Sequence, residues 1–317
     1  MTRKPTPADA ALRDPWSLRA GEWVLYAMAW MFRWISRAFS TWAVAGVMAP
    51  IGGFLAASIP AWRRRAEANM ALVWPEIDGS TRRDLVRDAG AEFTRLSVEY
   101  AHLDRFAGEM VLKVTGAEHL DTAREAGKGA ILVSAHYGNW EAARLAAKQV
   151  GVETGIIYRA FNNRYLDRFT LNLIPIAGEP VLQKGRQGMR HLVTHVAQGG
   201  AVMVLVDQRN SGAPFIDFMG HPAETVTAAA ELAQRTGAAL IPVVGRRNVV
   251  ERRFDVTFEQ PVPPGDPQDM MREVNARISS WIEAEPAQWF WFHRRWRTTT
   301  RSRPKPTDQT KGAVSSR

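Results

Sequence analysis

The sequence predicts an α/β fold: a mainly parallel mixed sheet flanked by helices on both faces, preceded by a helical membrane anchor. Three observations carry that expectation. From Gly127 onward, short runs rich in Ile and Val alternate with amphipathic stretches, the pattern of βα units. Ala38–Trp62 is free of charge for 25 residues. Six of the twelve Trp fall within the first 62 residues.

Taken in order, residues 1–20 are polar and carry Pro5, Pro7 and Pro15, which reads as a flexible lead. No basic segment runs into an apolar one there, so a cleaved signal peptide is not expected. Residues 21–64 form the anchoring segment. As one helix, Ala38–Trp62 would measure roughly 37 Å against about 30 Å of hydrocarbon. Pro50, Gly52, Gly53 and Pro60 interrupt it, and Arg lies on both flanks, at Arg33 and Arg37 before it and Arg63–Arg65 after it. Trp beside Arg suits a membrane–water interface. The segment is therefore one interrupted span or a set of helices lying in the cytoplasmic leaflet; a buried hydrophobic helix pair is the alternative.

Residues 65–297 make one α/β domain. Leu85, Val86, Ala89, Phe93, Leu96 and Tyr100 recur at helical spacing across 81–104. Strands are expected at Ala130–Ala135, Gly155–Tyr158, Ala201–Val206, Leu240–Val244 and Phe254–Phe258, with helices at Glu141–Gln149, Gln187–Ala197, Ala223–Arg235 and Pro267–Ala284. The last 20 residues, 298–317, read as a basic disordered tail. Seven of the nine net positive charges sit in His293–Arg317, so the body is nearly neutral. A nucleic-acid role for that arm is the weakest reading of it. The chain has no Cys, which excludes disulfides, thiolate nucleophiles and Cys-ligated metals.

The strongest chemical candidate is Ser134-Ala135-His136-Tyr137-Gly138-Asn139-Trp140-Glu141. An apolar strand ends at His136, Gly138-Asn139 turns, and a helix starts with Asn139 as its cap. Sites in open α/β sheets form at the carboxyl ends of strands. On a continuous helix His136 and Glu141 would stand about 140° apart. A strand–turn–helix junction can bring the carboxylate back to the imidazole and make it a general base.

The His136 and Glu141 spacing resembles the H-x4-D/E motif of glycerolipid-type acyltransferases, and Asn139-Trp140-Glu141 after the His resembles the late acyltransferases of lipid A biosynthesis, the lauroyl and myristoyl transferases. Further blocks are similar to that family, in order: Asn69-Met70-Ala71-Leu72 before Trp74-Pro75-Glu76; Tyr158-Arg159 with Asn162-Asn163, where Ala160 replaces the usual Pro; Lys184-Gly185-Arg186-Gln187-Gly188-Met189-Arg190; Val206-Asp207-Gln208; Phe218-Met219-Gly220, with Met at the centre; and Pro286–Trp296, with Ala287 for Glu. The resemblance covers roughly 65–297. It implies acyl transfer from an acyl carrier protein thioester to a hydroxyl of a lipid A precursor at the inner membrane, with the catalytic domain facing the cytoplasm. His136 would be the base and Glu141 its orienting carboxylate, with no covalent acyl-enzyme, metal or cofactor. Backbone N–H groups at the helix start, at Gly138 and Asn139, or a nearby Arg are candidates for the oxyanion. Arg159, Arg164, Lys184 and Arg190 are candidates for phosphates, and Asp207 for a supporting carboxylate. The aromatic block Trp289–Trp296 reads mainly as a structural lock.

Three rivals are weaker. Ser134 lacks the G-x-S-x-G elbow of a nucleophile. His191 and His195 have a helical metal-pair spacing without the Glu of H-E-x-x-H. No G-x-G-x-x-G or G-K-[ST] loop is present. A non-catalytic lipid-binding protein on the same fold, and a different glycolipid or aminolipid as acceptor, remain open.

Overall fold

The computed structural model describes residues 16–296. Residues 1–15, most of the expected lead, and 297–317, which include the expected basic tail, lie outside the described residues.

Among the described residues five helices come first: α1 (Trp16–Ser36), α2 (Thr41–Ser58), α3 (Pro60–Val73), α4 (Gly79–Ala101) and α5 (Leu103–Glu109). The first begins inside the stretch expected as lead. Ser40 caps α2, accepting from the Ala43 N–H at 3.3 Å. Pro60 separates α2 from α3 by holding Ile59 extended, as the residue before Pro prefers. Asp78 caps α4 through the N–H groups of Ser80 and Thr81. The charge-free run packs along α4 with Val44, Ala45, Ala49 and Ala56 buried. The two helices touch at small residues: a Cβ on Gly90 would lie 2.3 Å from the Ala56 Cβ, and one on Gly53 would lie 2.6 Å from the Arg87 carbonyl oxygen. The opposite side of α2 leaves Val47, Ile51, Phe54 and Leu55 exposed.

The main sheet has seven strands in the order β1-β9-β8-β2-β5-β3-β4. These are β1 (Val111–Thr115), β2 (Ala130–Ser134), β3 (Thr154–Tyr158), β4 (Val181–Gln183), β5 (Ala201–Leu205), β8 (Ala239–Asn248) and β9 (Arg253–Phe258). Every neighbouring pair is parallel except β8 and β9. The expected parallel sheet is thus present, with one antiparallel step. In β2 both sets of alternating residues are buried. Ile131 and Val133 join a core with α10 (Arg186–Ala197), α11 (Ala228–Thr236) and α12 (Pro267–Ala284). Ala130 and Leu132 join a core on the other face with α6 (Glu118–Glu125) and α7 (Trp140–Gln149). A central parallel strand covered on both faces reads as a continuous apolar run, which is why it is legible in the sequence.

Some expectations need correction. The helix expected at Ala223–Arg235 starts only at Ala228. Ala223 and Glu224 instead pair with Ile216 and Phe215 in a hairpin of β6 (Phe215–Phe218) and β7 (His221–Glu224). Met219 and Gly220, both at positive φ, make its turn. The edge strands β1 and β4 were not expected: β4 has only three residues, and β1 precedes Gly127, where the alternating pattern begins. Helices α8 (Arg164–Leu171) and α9 (Ile174–Ala177) fill the connection between β3 and β4.

Candidate active site

The site grows out of strand register. Ser134 at the end of β2 pairs with Leu205 at the end of β5. Two residues further along each strand stand His136 and Asp207, side by side at a spacing of about 5 Å between strands. Asp207 is a clamp: Oδ1 lies 2.8 Å from the His136 Nδ1, and Oδ2 accepts the His136 backbone N–H at 2.9 Å. The Trp289 indole N–H donates to the same Oδ2 at 2.8 Å. Burial alone would raise this carboxyl; the His136 ring, the Trp289 N–H and the His136 N–H outweigh burial and hold it down at about 2. An ionised carboxylate only accepts hydrogen bonds, so the imidazole carries its proton on Nδ1 and a lone pair on Nε2. The Gln208 amide nitrogen lies 3.1 Å from that Nε2. The His136 side chain is 23% exposed against 3% for Asp207, so the imidazole faces outward from a buried support.

The role expected for Glu141 is corrected here. The carboxylate on the imidazole is Asp207. Glu141 is fully buried and points the other way. It accepts from the Tyr100 hydroxyl and the Trp140 indole N–H, and it pairs with the equally buried Arg144. Burial and the neighbouring Glu141 push the Tyr100 phenol well above its ordinary value. Arg144 also donates to the carbonyls of Thr154, Ile174 and Gly178, tying α7 to β3 and α9. Glu141 therefore sets the position of α7 and of Trp140, whose ring meets His136 edge-on with centroids 5.3 Å apart.

The oxyanion candidates are corrected too. The Gly138 N–H donates to the Gln288 carbonyl at 3.0 Å and the Asn139 N–H to the Gly245 carbonyl at 2.9 Å. Gly138 sits at φ +54°, and a Cβ there would lie 2.1 Å from the Gly245 oxygen. Asn139 does cap α7, accepting from the Glu141 and Ala142 N–H groups. Its amide donates at 2.9 Å to Glu99, which is held in a two-pronged bond by the buried Arg247. Both residues shape the turn rather than offering free donors.

Two of the basic candidates meet at the strand ends. Tyr158 pairs with Gln183, so Arg159 and Lys184 lie side by side past the ends of β3 and β4, both exposed. Arg190 is exposed on α10. Arg164 stands apart from the dyad, 3.6 Å from Glu22 of α1. The rivals resolve structurally. The Ser134 hydroxyl donates to the Val243 carbonyl at 2.7 Å, and the His195 ring bonds the Ala201 carbonyl at 3.1 Å. Trp289 acts as more than a lock. Its N–H completes the Asp207 clamp, and only its place in the aromatic block hinted at that.

The family model for bacterial lipid A biosynthesis acyltransferases matches residues 13–298. The chain is 26% identical over 204 residues to a phosphatidylinositol mannoside acyltransferase of Mycobacterium tuberculosis, covering 61% of this chain and 62% of that protein. It is 24% identical over 182 residues to a lipid A biosynthesis acyltransferase of Haemophilus influenzae, covering 56% of each. With the lipid A biosynthesis lauroyltransferase of Escherichia coli it shares 26% identity over 251 residues, 74% of this chain and 80% of that one. The chain thus spans about three fifths of the length of the Mycobacterium and Haemophilus relatives it matches. The family match runs unbroken from α1 through the Trp289–Trp296 block, and the chain belongs to the bacterial lipid A biosynthesis acyltransferase family.

Proposed function

We propose that the chain transfers a fatty acyl group from an acyl carrier protein thioester to a hydroxyl of a lipid A precursor. The observation that carries this is the His136 ring held through Nδ1 by a buried, ionised Asp207, with Nε2 turned to the surface. Nε2 takes the proton of the acceptor hydroxyl. The freed oxygen attacks the thioester carbonyl, the tetrahedral oxyanion collapses, and the departing thiolate takes the proton back from Nε2. No acyl-enzyme is formed, and Ser134 is tied to a backbone carbonyl. The intact dyad speaks against a non-catalytic binding protein. Arg159 and Lys184, exposed side by side past the ends of β3 and β4, and Arg190, exposed on α10, are the candidates for the acceptor's phosphates, with Arg164 beside Glu22 a further one.

The enzyme works at the cytoplasmic face of the inner membrane, with α1 and α2 lying in the interface. Support comes from Trp23, Leu25, Met28, Trp30, Trp34 and Ile35 exposed on α1, and from the bare side of α2. Among the described residues α2 is the one helix long and apolar enough to span, but a third of it is buried. It lies against α4, which carries Arg82, Arg83, Asp84, Arg87, Asp88, Glu92 and Arg95. A spanning α2 would take those charges into hydrocarbon.

The test is to incubate membranes containing the protein with acyl carrier proteins loaded with C10 to C18 chains and a tetraacylated lipid A precursor. A mass gain of one acyl chain, lost in His136→Ala, supports the reading. Activity surviving His136→Ala overturns the mechanism. A second acceptor, another mannosylated or aminated membrane lipid, is favoured by the similarity to the mycobacterial protein and by the departures at Ala160, Met219 and Ala287. Product from a phosphatidylinositol mannoside and none from the precursor would select it.

A further inference from the structure

We infer that Gln208 is a catalytic residue of this reaction, donating a hydrogen bond to the tetrahedral oxyanion. The inference rests on the acyl-transfer reading above. Acyl transfer needs preorganised donors where the negative charge develops. Five backbone N–H groups of the strand–turn–helix junction are committed here. The N–H of His136 goes to Asp207, Gly138 to Gln288, Asn139 to Gly245, and both Glu141 and Ala142 to the Asn139 side chain. The turn has little room to shift and free them, since Gly138 and Asn139 are packed against Gly245.

Gln208 differs in each respect. It follows Asp207 directly, so its backbone is fixed by the same clamp that holds the base. Its side chain is exposed, and its amide nitrogen stands 3.1 Å from the reactive Nε2. A carboxamide carries two N–H groups. One now occupies the Nε2 lone pair, the position an acceptor hydroxyl must take before it can lose its proton. The attacking oxygen lies about 3 Å from Nε2 and about 3 Å from the carbonyl carbon. The thioester oxygen therefore falls within one side-chain rotation of the amide. When the hydroxyl displaces the amide from Nε2, the same N–H turns to the carbonyl oxygen and follows it as it becomes an oxyanion. Gln208 so fills the base's lone pair when the site is empty and serves the electrophile when it is full.

The test uses the full chain, a tetraacylated lipid A precursor and lauroyl-acyl carrier protein. Gln208→Met keeps the shape and removes the donor; Gln208→Glu keeps the shape and supplies only an acceptor. Both are expected to lower kcat about 10²-fold, with KM for the precursor unchanged. In Gln208→Met the inflection of the kcat–pH profile stays where the wild type has it, because the bound hydroxyl has by then displaced the amide from Nε2, whereas Gln208→Glu sets a carboxylate beside Nε2 and moves its inflection up. Gln208→Met retaining kcat within about threefold overturns the inference, as does a loss confined to KM. A kcat–pH inflection that moves in Gln208→Met also overturns it, because that would make Gln208 a positioning residue for His136. His136→Ala runs alongside. If it is inactive while Gln208→Met is fully active, this inference alone fails; if it stays active, the reading of His136 falls and this inference with it.

Discussion

At the scale of single residues, two carboxylates near one imidazole divide the work. Asp207 meets His136 through both the ring and the backbone, so Asp207→Asn keeps the volume but loses the charge that fixes the tautomer. Its kcat is expected to fall by about 10²–10⁴ while the thermal midpoint changes little. Glu141→Ala should do the reverse in kind. It strands the buried Arg144 guanidinium, at a cost of about 3–5 kcal/mol, and lowers the midpoint by roughly 6–20 °C. Calorimetry and initial rates on the two variants separate the roles, and equal midpoints would contradict them. The sequence showed His136 because a strand, a Gly-Asn turn and a helix start surround it. It placed Asp207 at a strand end as a supporting carboxylate. It could not say which carboxylate reaches the ring, because that depends on β2 and β5 being neighbours in the sheet. They are 71 residues apart at the two reacting positions, and spacing along the chain favours Glu141 instead.

At the scale of elements, central strands and long amphipathic helices were legible because both faces of β2, β5 and β8 are buried. The β6–β7 hairpin was not, since the helix expected from Ala223 took in the last two residues of β7. The α2–α4 contact shows what its glycines are for. Gly90→Val would place side-chain atoms inside the Ala56 methyl group, an overpacking expected to cost about 1–3 kcal/mol, seen as a lower midpoint with α2 more open to proteolysis. The α1–α4 junction adds a pH dependence. The Ser36 hydroxyl donates to the Phe32 carbonyl, so the His102 Nε2–H donates to the Ser36 oxygen at 2.9 Å and leaves Nδ1 buried without a partner. Burial, and then Arg105, Arg33 and Arg37 against the single opposing Asp104, lower His102 from 6.5 to about 4. The folded state thus disfavours the charged ring. Its contribution is complete above about 6.5 and is lost progressively as pH falls from there to about 4. Melts from pH 7 to pH 4 should show a declining limb that flattens in His102→Gln; an unchanged limb would count against the assignment.

At the scale of the whole molecule, the exposed apolar residues of α1 and α2 belong to the same helices that brace the strand-end site. Arg33 of α1 donates to the Ala101 carbonyl and pairs with Asp104 just past the end of α4, while Tyr100 on the last turn of α4 holds Glu141. The proposed membrane contact and the site geometry are joined through one helix end, so removing the N-terminal helices should damage catalysis as well as binding. Changing only their outer surface should not. Val47, Ile51 and Phe54 are exposed, and each apolar side chain of this size contributes up to about 1.5–3 kcal/mol when taken out of water. The triple change to Ser is therefore expected to weaken sedimentation with anionic vesicles by at least about tenfold. The far-ultraviolet spectrum and the turnover of detergent-dispersed substrate should stay at wild-type level, because none of the three side chains packs on α4. High salt screens only the electrostatic part of interfacial binding, whereas alkaline carbonate strips a helix lying in the interface more readily than one that spans. Wild-type protein that resists both washes, with the triple variant still fully bound, would place α2 across the bilayer and require α4 to separate from it.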